Sequence, residues 1–290
     1  MEPFGYVTEP GKPGLFYLQS WMERYPELTA GFTSRHGGIS QGEYRSLNMG
    51  LHVADCPQDV IENRRRVADA VKQPLAGWVY GEQVHGSRIA VITAADRGKG
   101  TLERLTAIQE ADAFITNEQD ICLAALFADC VPLFFYDPVT GSMALAHAGW
   151  KGTAAQIARS TVEAMVSEYQ VIPENLVAAI GPAIGQCCYE VDEKLINTID
   201  KTLDEVLSVE EATSTKDRRD IYYKMNAAKK FQLNLHQINR QIMIKAGIMP
   251  SSIEITERCT GCGTDLFFSH RKENGITGRM AAWIALGSSV

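Results

Sequence analysis

Three apolar runs in the middle of the chain constrain its fold more than any other feature. Residues 121–127 and 133–136 are apolar throughout, and residues 143–146 follow across the turn sequence Asp137-Pro138-Val139-Thr140-Gly141. Unbroken apolar stretches of this length are the pattern of strands buried on both faces. The second and third, joined by that turn, read as an antiparallel hairpin.

The rest of the chain mixes both periodicities. Residues 1–60 read as short extended segments and turns, punctuated by Gly37-Gly38 and Asn48-Met49-Gly50. Residues 60–71 read as a helix, with Val60, Arg64, Val67, Ala68 and Val71 on one face. Residues 78–80 and 89–93 read as strands. Residues 153–169 read as an amphipathic helix with Thr153 as its N-cap. Residues 176–180, 253–256 and 266–269 read as strands. Residues 194–219 read as partly helical with a polar break at Thr213-Ser214-Thr215, 225–246 as a long helix, and 277–286 as a closing helix. No linker or repeat interrupts the chain, so residues 1–290 read as one α+β domain.

Composition narrows the setting. The net charge of −7 argues against a dedicated nucleic-acid surface, although a basic pocket fits within it. The first residues, Met1-Glu2-Pro3-Phe4, show neither the basic nor the apolar region of a signal peptide, and no run reaches the length of a membrane span. Seven cysteines without a disulfide-like spacing fit a reducing, cytoplasmic compartment.

The residues able to carry chemistry cluster around the apolar runs. Cys130 opens the second run, His147 closes the third, and His85 lies in the Gln83-Val84-His85-Gly86 loop, the three being 45 and 17 residues apart. Those gaps are too long for a zinc knuckle but suit ligands brought together from separate strand ends. A thiolate and two imidazoles leave one position open on a tetrahedral zinc. Spacing alone favours two loop histidines and a buried core cysteine. Gly149 and Gly152 loosen the backbone after His147, and the following helix start with Lys151 could receive a phosphate or be a plain strand-to-helix turn. Arg35 and Asn48 offer a guanidinium and an amide to a polar substrate, or stabilise a turn. Cys187-Cys188 read as packing residues. Cys259-Thr260-Gly261-Cys262 is an isolated C-x-x-C with no second pair to complete a structural zinc site. Ser269-His270-Arg271-Lys272 is a basic cluster, either at a pocket rim or in a solvated loop.

The motifs occur in a telling order: Thr33-Ser34-Arg35-His36-Gly37-Gly38-Ile39-Ser40, Ser46-Leu47-Asn48-Met49-Gly50, Gln83-Val84-His85-Gly86, Ala128-Asp129-Cys130-Val131-Pro132, His147-Ala148-Gly149-Trp150-Lys151-Gly152 and Phe267-Phe268-Ser269-His270-Arg271. Together they resemble the YfiH/YlmD family, also called the laccase-domain or multicopper polyphenol oxidase family, from about residue 31 to 284. The segments Ile180-Gly181-Pro182 and Cys188-Tyr189-Glu190-Val191 match as well, whereas residues 259–263 and 201–220 depart from the usual pattern.

The resemblance implies a four-layer αββα sandwich of mixed sheets flanked by helices, distantly similar to the catalytic domain of cytotoxic necrotising factor toxins. It implies a zinc-dependent purine nucleoside phosphorylase, with copper as the other candidate metal, acting on adenosine, inosine and S-methyl-5'-thioadenosine and also deaminating adenosine. It places the metal ligands on His85, Cys130 and His147 and an essential arginine on Arg35. Asp129 is then the candidate proton donor to leaving ammonia, and Asn48, Gln83, Lys151 and Arg271 are candidate contacts to nucleoside and phosphate. The H-x-E and P-C-x-x-C signature of zinc nucleobase deaminases is absent, so deamination needs a different constellation. The rival readings are a copper-dependent polyphenol oxidase, a cysteine hydrolase with Cys130 as nucleophile and His147 as base, and a binding or peptidoglycan-precursor editing protein.

Overall fold

The computed structural model describes residues 2–207 and 220–287. Two six-stranded mixed sheets carry the architecture. The first runs in the order β1 (Phe4–Val7), β2 (Leu15–Leu18), β3 (Leu28–Thr33), β15 (Met280–Leu286), β7 (Cys122–Phe127) and β4 (Trp78–Tyr80). The second runs β14 (Ile253–Ile255), β10 (Val177–Ile180), β8 (Val131–Asp137), β9 (Ser142–Ala148), β6 (Ala113–Thr116) and β5 (Ile89–Val91). A small antiparallel sheet orders β11 (Glu190–Val191), β13 (Phe231–Leu233) and β12 (Tyr223–Met225).

Residue parity sorts side chains into layers. On β7, Leu123, Ala125 and Phe127 point between the sheets, while Cys122, Ala124 and Leu126 point to the outer face of the first sheet. On β8 and β9, Phe134, Tyr136, Met143 and Leu145 point between the sheets, and Val131, Leu133, Phe135, Ala144, Ala146 and Ala148 point outward. Helix α2 (Pro57–Ala70) covers the outer face of the first sheet through Val67 and Ala68. Helices α4 (Ile157–Tyr169), α5 (Glu193–Val206) and α6 (Leu235–Lys245) cover the second. The remaining helices are short: α1 (Gln19–Arg24) after β2, and α3 (Trp150–Ala154) after β9. The result is helix, sheet, sheet, helix, and it explains why the central runs are apolar on every residue.

Several local expectations give way to packing. The segment expected as a closing helix is β15, the strand between β3 and β7. Alanine favours helix over the β-branched residues by at most ~0.7 kcal/mol per residue. Burying Met280, Trp283, Ile284 and Leu286 yields roughly 1.5–3 kcal/mol each, so burial decides. The expected long helix at 225–246 divides into β12, β13 and the shorter α6. Asn226 causes the division: its Oδ1 accepts from the backbone N–H groups of Ala228 and Lys230, each at 3.0 Å, and turns the chain into a hairpin. The expected helix from Thr153 begins earlier, with Gly149 as N-cap, and breaks at Gln156 in the left-handed region (φ 53°). Thr153 does not cap; its Oγ1 accepts from Asn239 Nδ2 at 2.9 Å. Residues 266–269 form no strand, because Phe267 and Phe268 are drawn into the core between the sheets as an irregular segment. Of the expected 194–219 helix, Glu193–Val206 is observed, and the Thr213-Ser214-Thr215 break lies outside the described residues.

Candidate metal centre

The β8–β9 hairpin brings two of the candidate ligands side by side. Pro132 pairs with His147 and Val131 with Ala148, so Cys130 emerges at the mouth of the hairpin next to the end of β9. Parity points His147 inward with Met143 and Leu145, where its ring lies 5.4 Å from that of Phe127. A one-residue register slip would turn His147 into the helix layer. His85 arrives from the loop after β4, with its ring 4.9 Å from that of His147. The ligand atoms of His85, Cys130 and His147 all lie within 4.8 Å of one another.

Asp112, just ahead of β6, holds this arrangement. Its carboxylate accepts from three successive backbone N–H groups, Val84 at 3.2 Å, His85 at 3.0 Å and Gly86 at 2.7 Å. Such a nest fixes the loop that carries His85, itself in the left-handed region at φ 61°. The same carboxylate accepts from His147 Nδ1 at 2.9 Å, and the Asp112 carbonyl accepts from His147 N at 2.7 Å. His147 therefore keeps Nε2 for a ligand, and a carboxylate behind a ligating histidine raises its basicity and locks its orientation. Sequence reasoning missed Asp112. Its one signal was an acidic residue at the edge of an apolar segment.

Electrostatics match the geometry. Burial pushes the Cys130 thiol up, but His147 and His85 outweigh it and hold the thiol at about 6. Burial pushes His147 down, but the Cys130 sulfur and Asp112 bring it up to about 9. At neutral pH the pair is a thiolate facing an imidazolium. The glycines after His147 serve close approach rather than backbone freedom. A Cβ on Gly149 would lie 2.9 Å from Cys130 Sγ and 3.2 Å from His85 Cδ2.

The three donors line a cavity of ≈ 380 Å³, within the usual range of roughly 300–1,000 Å³ for small-molecule sites. Its wall carries four arginines, Arg64, Arg104, Arg271 and Arg279, against two carboxylates, Glu82 and Asp129. In an acidic chain this is a local basic pocket. His52 also borders it; burial and Arg279 push its pKa down to about 4, so it is neutral at pH 7. Arg279 and His52 carried no motif signal of their own.

The other expected site residues divide between wall and scaffold. Gln83 and Arg271 line the cavity. The Gln83 amide is engaged at both ends, donating to Leu126 O at 2.9 Å and accepting from Leu126 N at 2.8 Å. Arg271 lies 5.1 Å over the Tyr189 ring and donates to Glu190 O at 2.6 Å. Asp129 also borders the cavity, but its carboxylate is saturated by Thr260 Oγ1 at 2.6 Å, Ser269 Oγ at 2.8 Å and Arg271 N at 2.7 Å. That corrects the expectation of a proton donor: Asp129 anchors the loop that presents Arg271.

Arg35, Asn48 and Lys151 lie outside the cavity wall. Arg35 donates to Thr264 O at 2.7 Å and pairs with Glu273 at 3.0 Å, bracing the 264–273 loop from behind. Asn48 is fully buried, and its Oδ1 accepts from Arg279 N at 2.9 Å, so it seats Arg279 instead of a substrate. Lys151 is exposed, with its ammonium 5.8 Å over the Trp150 ring.

Comparison with known proteins agrees with this fold. The family described as multi-copper polyphenol oxidoreductase laccase matches residues 29–287. The chain is 39% identical to purine nucleoside phosphorylase YlmD of Bacillus subtilis, over 98% of this chain and 97% of that protein. It is 42% identical to the protein of the same name from Geobacillus stearothermophilus, over 92% and 93%. The crystal structure of YlmD from Geobacillus stearothermophilus superposes with a TM-score of 0.90 at 38% identity, covering 99% of this chain and 100% of that one. That of Bacillus licheniformis YfiH gives 0.86 at 38%, covering 97% and 98%. The chain belongs to the laccase-domain (YfiH/YlmD) family.

Proposed function

We propose that the chain is a zinc-dependent purine nucleoside phosphorylase that cleaves adenosine, inosine and S-methyl-5'-thioadenosine with phosphate, and that the same cavity deaminates adenosine. The observation that carries this reading is the placement of a three-donor thiolate and imidazole set beside four arginines in one nucleoside-sized cavity. Relatives named purine nucleoside phosphorylase across nearly the full length support it. We read residues 1–290 as one catalytic domain acting in the cytoplasm, with small molecules rather than nucleic acid or membrane as its partners. Among the described residues no helix is long and apolar enough to cross a membrane.

His85, Cys130 and His147 would hold the metal, and the mixed sulfur and nitrogen donor set suits zinc, with copper as the competitor. A zinc ion there supplies Lewis acidity toward an oxygen or nitrogen of the substrate. The remaining work falls to the chain. Phosphorolysis forms a bond from phosphate oxygen to the anomeric carbon and breaks the bond to the purine nitrogen. Arg271 and Arg279 neutralise the entering phosphate; of the Arg279 guanidinium, only Nη1 is bonded among the described residues, to the Thr277 and Gly278 carbonyls. Leu51, Ala107 and Leu126 offer apolar wall to the base. Asp112 keeps His147 oriented throughout.

One observation favours a second reading. Cys130 at about 6 and His147 at about 9, with Asp112 behind, is also the charge state of a cysteine nucleophile and its base. The third donor, His85, has no role in that chemistry, which favours the metal reading. The two separate on metal-free protein. Cysteine hydrolysis persists without metal and is abolished by a thiol reagent; phosphorolysis returns on adding zinc. A multicopper oxidase would need further histidine-rich ligand clusters. The other metal-competent cluster among the described residues contains cysteine alone.

A further inference from the structure

Four cysteines outside the cavity converge in space although they are widely separated in sequence. Cys187 and Cys188 lie between β10 and β11, and Cys259 and Cys262 follow β14. Their sulfurs all lie within 4.8 Å of one another, with Cys262 Sγ 3.4 Å from both Cys187 Sγ and Cys188 Sγ. The adjacent pair and the C-x-x-C, each uninformative alone, complete one another.

We propose that Cys187, Cys188, Cys259 and Cys262 form a structural zinc site, separate from the His85–Cys130–His147 centre. A tetrahedral zinc with sulfurs at about 2.3 Å sets them about 3.8 Å apart, near the 3.4 Å of two of the pairs and inside the 4.8 Å that spans the cluster. A disulfide would join only two sulfurs at about 2.05 Å and leave the others crowded beside it. Adjacent cysteines can both face one ion here because the chain turns: Cys188 N and Tyr189 N both donate to Gly185 O at 3.0 Å. Cys259 Sγ accepts from Gly185 N at 3.1 Å and from the Cys262 backbone N–H, two donors aimed at the sulfur. Two glycines make room. A Cβ on Gly185 would lie 3.2 Å from Cys259 Cβ, and one on Gly261 would lie 2.8 Å from Cys188 Cβ. Cys187 and Cys262 are exposed, so an ion has access.

The site staples together the two loops that form one wall of the cavity. Tyr189 follows Cys188 directly, and Arg271 follows Cys262 on the loop anchored by Asp129. The Ala183 to Cys259 bridge and the bond from Thr260 N to Ala183 O at 3.0 Å lie in the same seam. Zinc here fixes the wall without touching the reaction.

The test uses the full chain, purified reduced and without chelator. Zinc content is measured in the wild type, in Cys130→Ala and in Cys259→Ser/Cys262→Ser. The expected result is one zinc per chain retained in Cys130→Ala, and one fewer in the double variant than in wild type. Since Cys130→Ala lacks the first centre, this readout is independent of the proposed activity. A second measurement needs no variant: iodoacetamide is added to native wild-type protein and the modified residues are identified by mass spectrometry. Exposed Cys56 is the internal control. Cys187 and Cys262 should resist alkylation at least tenfold relative to Cys56 until a strong chelator is added. Alkylation at the rate of Cys56, recovery of the four cysteines as disulfides, or equal zinc in the double variant and wild type would overturn the proposal.

Discussion

Replacing Asp112 by asparagine isolates the residue on which the metal centre depends. The native carboxylate accepts four hydrogen bonds, from Val84 N, His85 N, Gly86 N and His147 Nδ1. Asparagine keeps one acceptor oxygen, able to serve His85 N and His147 Nδ1, which now share Oδ1. Its NH2 then faces the Val84 and Gly86 N–H groups, donor against donor. Mutating the carboxylate behind a ligating histidine lowers metal affinity 10–100-fold, which is about 1.4–2.7 kcal/mol. Losing hydrogen bonds to a charged group destabilises the fold by a further ~1.5–3 kcal/mol. The affinity loss carries a pH signature. In the wild type, metal must displace a proton from His147, whose pKa stands at about 9, partly because of Asp112. The variant has less of that competition, so the gap narrows at pH 7 and opens fully above pH 9. Zinc affinities from chelator competition at pH 7 and pH 9.5 measure both ends. Equal affinity of wild type and Asp112→Asn at pH 9.5 would refute the assignment of Asp112 as the support of His147.

Further outcomes follow from the same geometry. Zinc binding at pH 7 should release about one proton from His147, Cys130 being already ionised with a pKa of about 6; calorimetry in buffers of differing ionisation enthalpy reads this, and zero release contradicts the ion-pair state. Gly149→Ala should weaken zinc binding at least tenfold while leaving the circular dichroism spectrum intact, because the new Cβ would meet Cys130 Sγ at 2.9 Å. Buried His236 on α6, held neutral by burial with a pKa near 4, binds a proton more readily when unfolded. Its contribution is therefore full above pH 6.5 and is lost as pH falls to 4, by about 3 kcal/mol. Urea unfolding of wild type and His236→Leu across that window should show a steeper loss in the wild type, the difference being this contribution, because His52 contributes alike to both.

The parts of the fold legible in sequence were those where one local pattern agreed with the tertiary environment. β7, β8 and β9 are buried on both faces and read as unbroken apolar runs. β15 was illegible because Met280-Ala281-Ala282-Trp283-Ile284-Ala285-Leu286 suits a helix locally, and only its place between β3 and β7 overrides that preference. His85, Cys130 and His147 were readable as candidates because a hairpin mouth and one loop carry them. Their support was not, since Asp112 acts through backbone donors that have no sequence signature. Likewise Cys187 and Cys262 stand 75 residues apart, and neither pair foretells the other. Arg35, Asn48 and Asp129 carry a motif signal that does not tell their roles. Their partners, Glu273, Arg279 and Arg271, reveal them as supports of the cavity.

The most direct measurement of the central claim follows inosine with metal-free protein, with protein given one equivalent of zinc, and with His147→Ala, each with and without phosphate. The account predicts hypoxanthine and ribose 1-phosphate in equal amounts only when zinc, phosphate and His147 are all present. Hypoxanthine release that ignores phosphate, or undiminished activity in the metal-free protein or in His147→Ala, would contradict it.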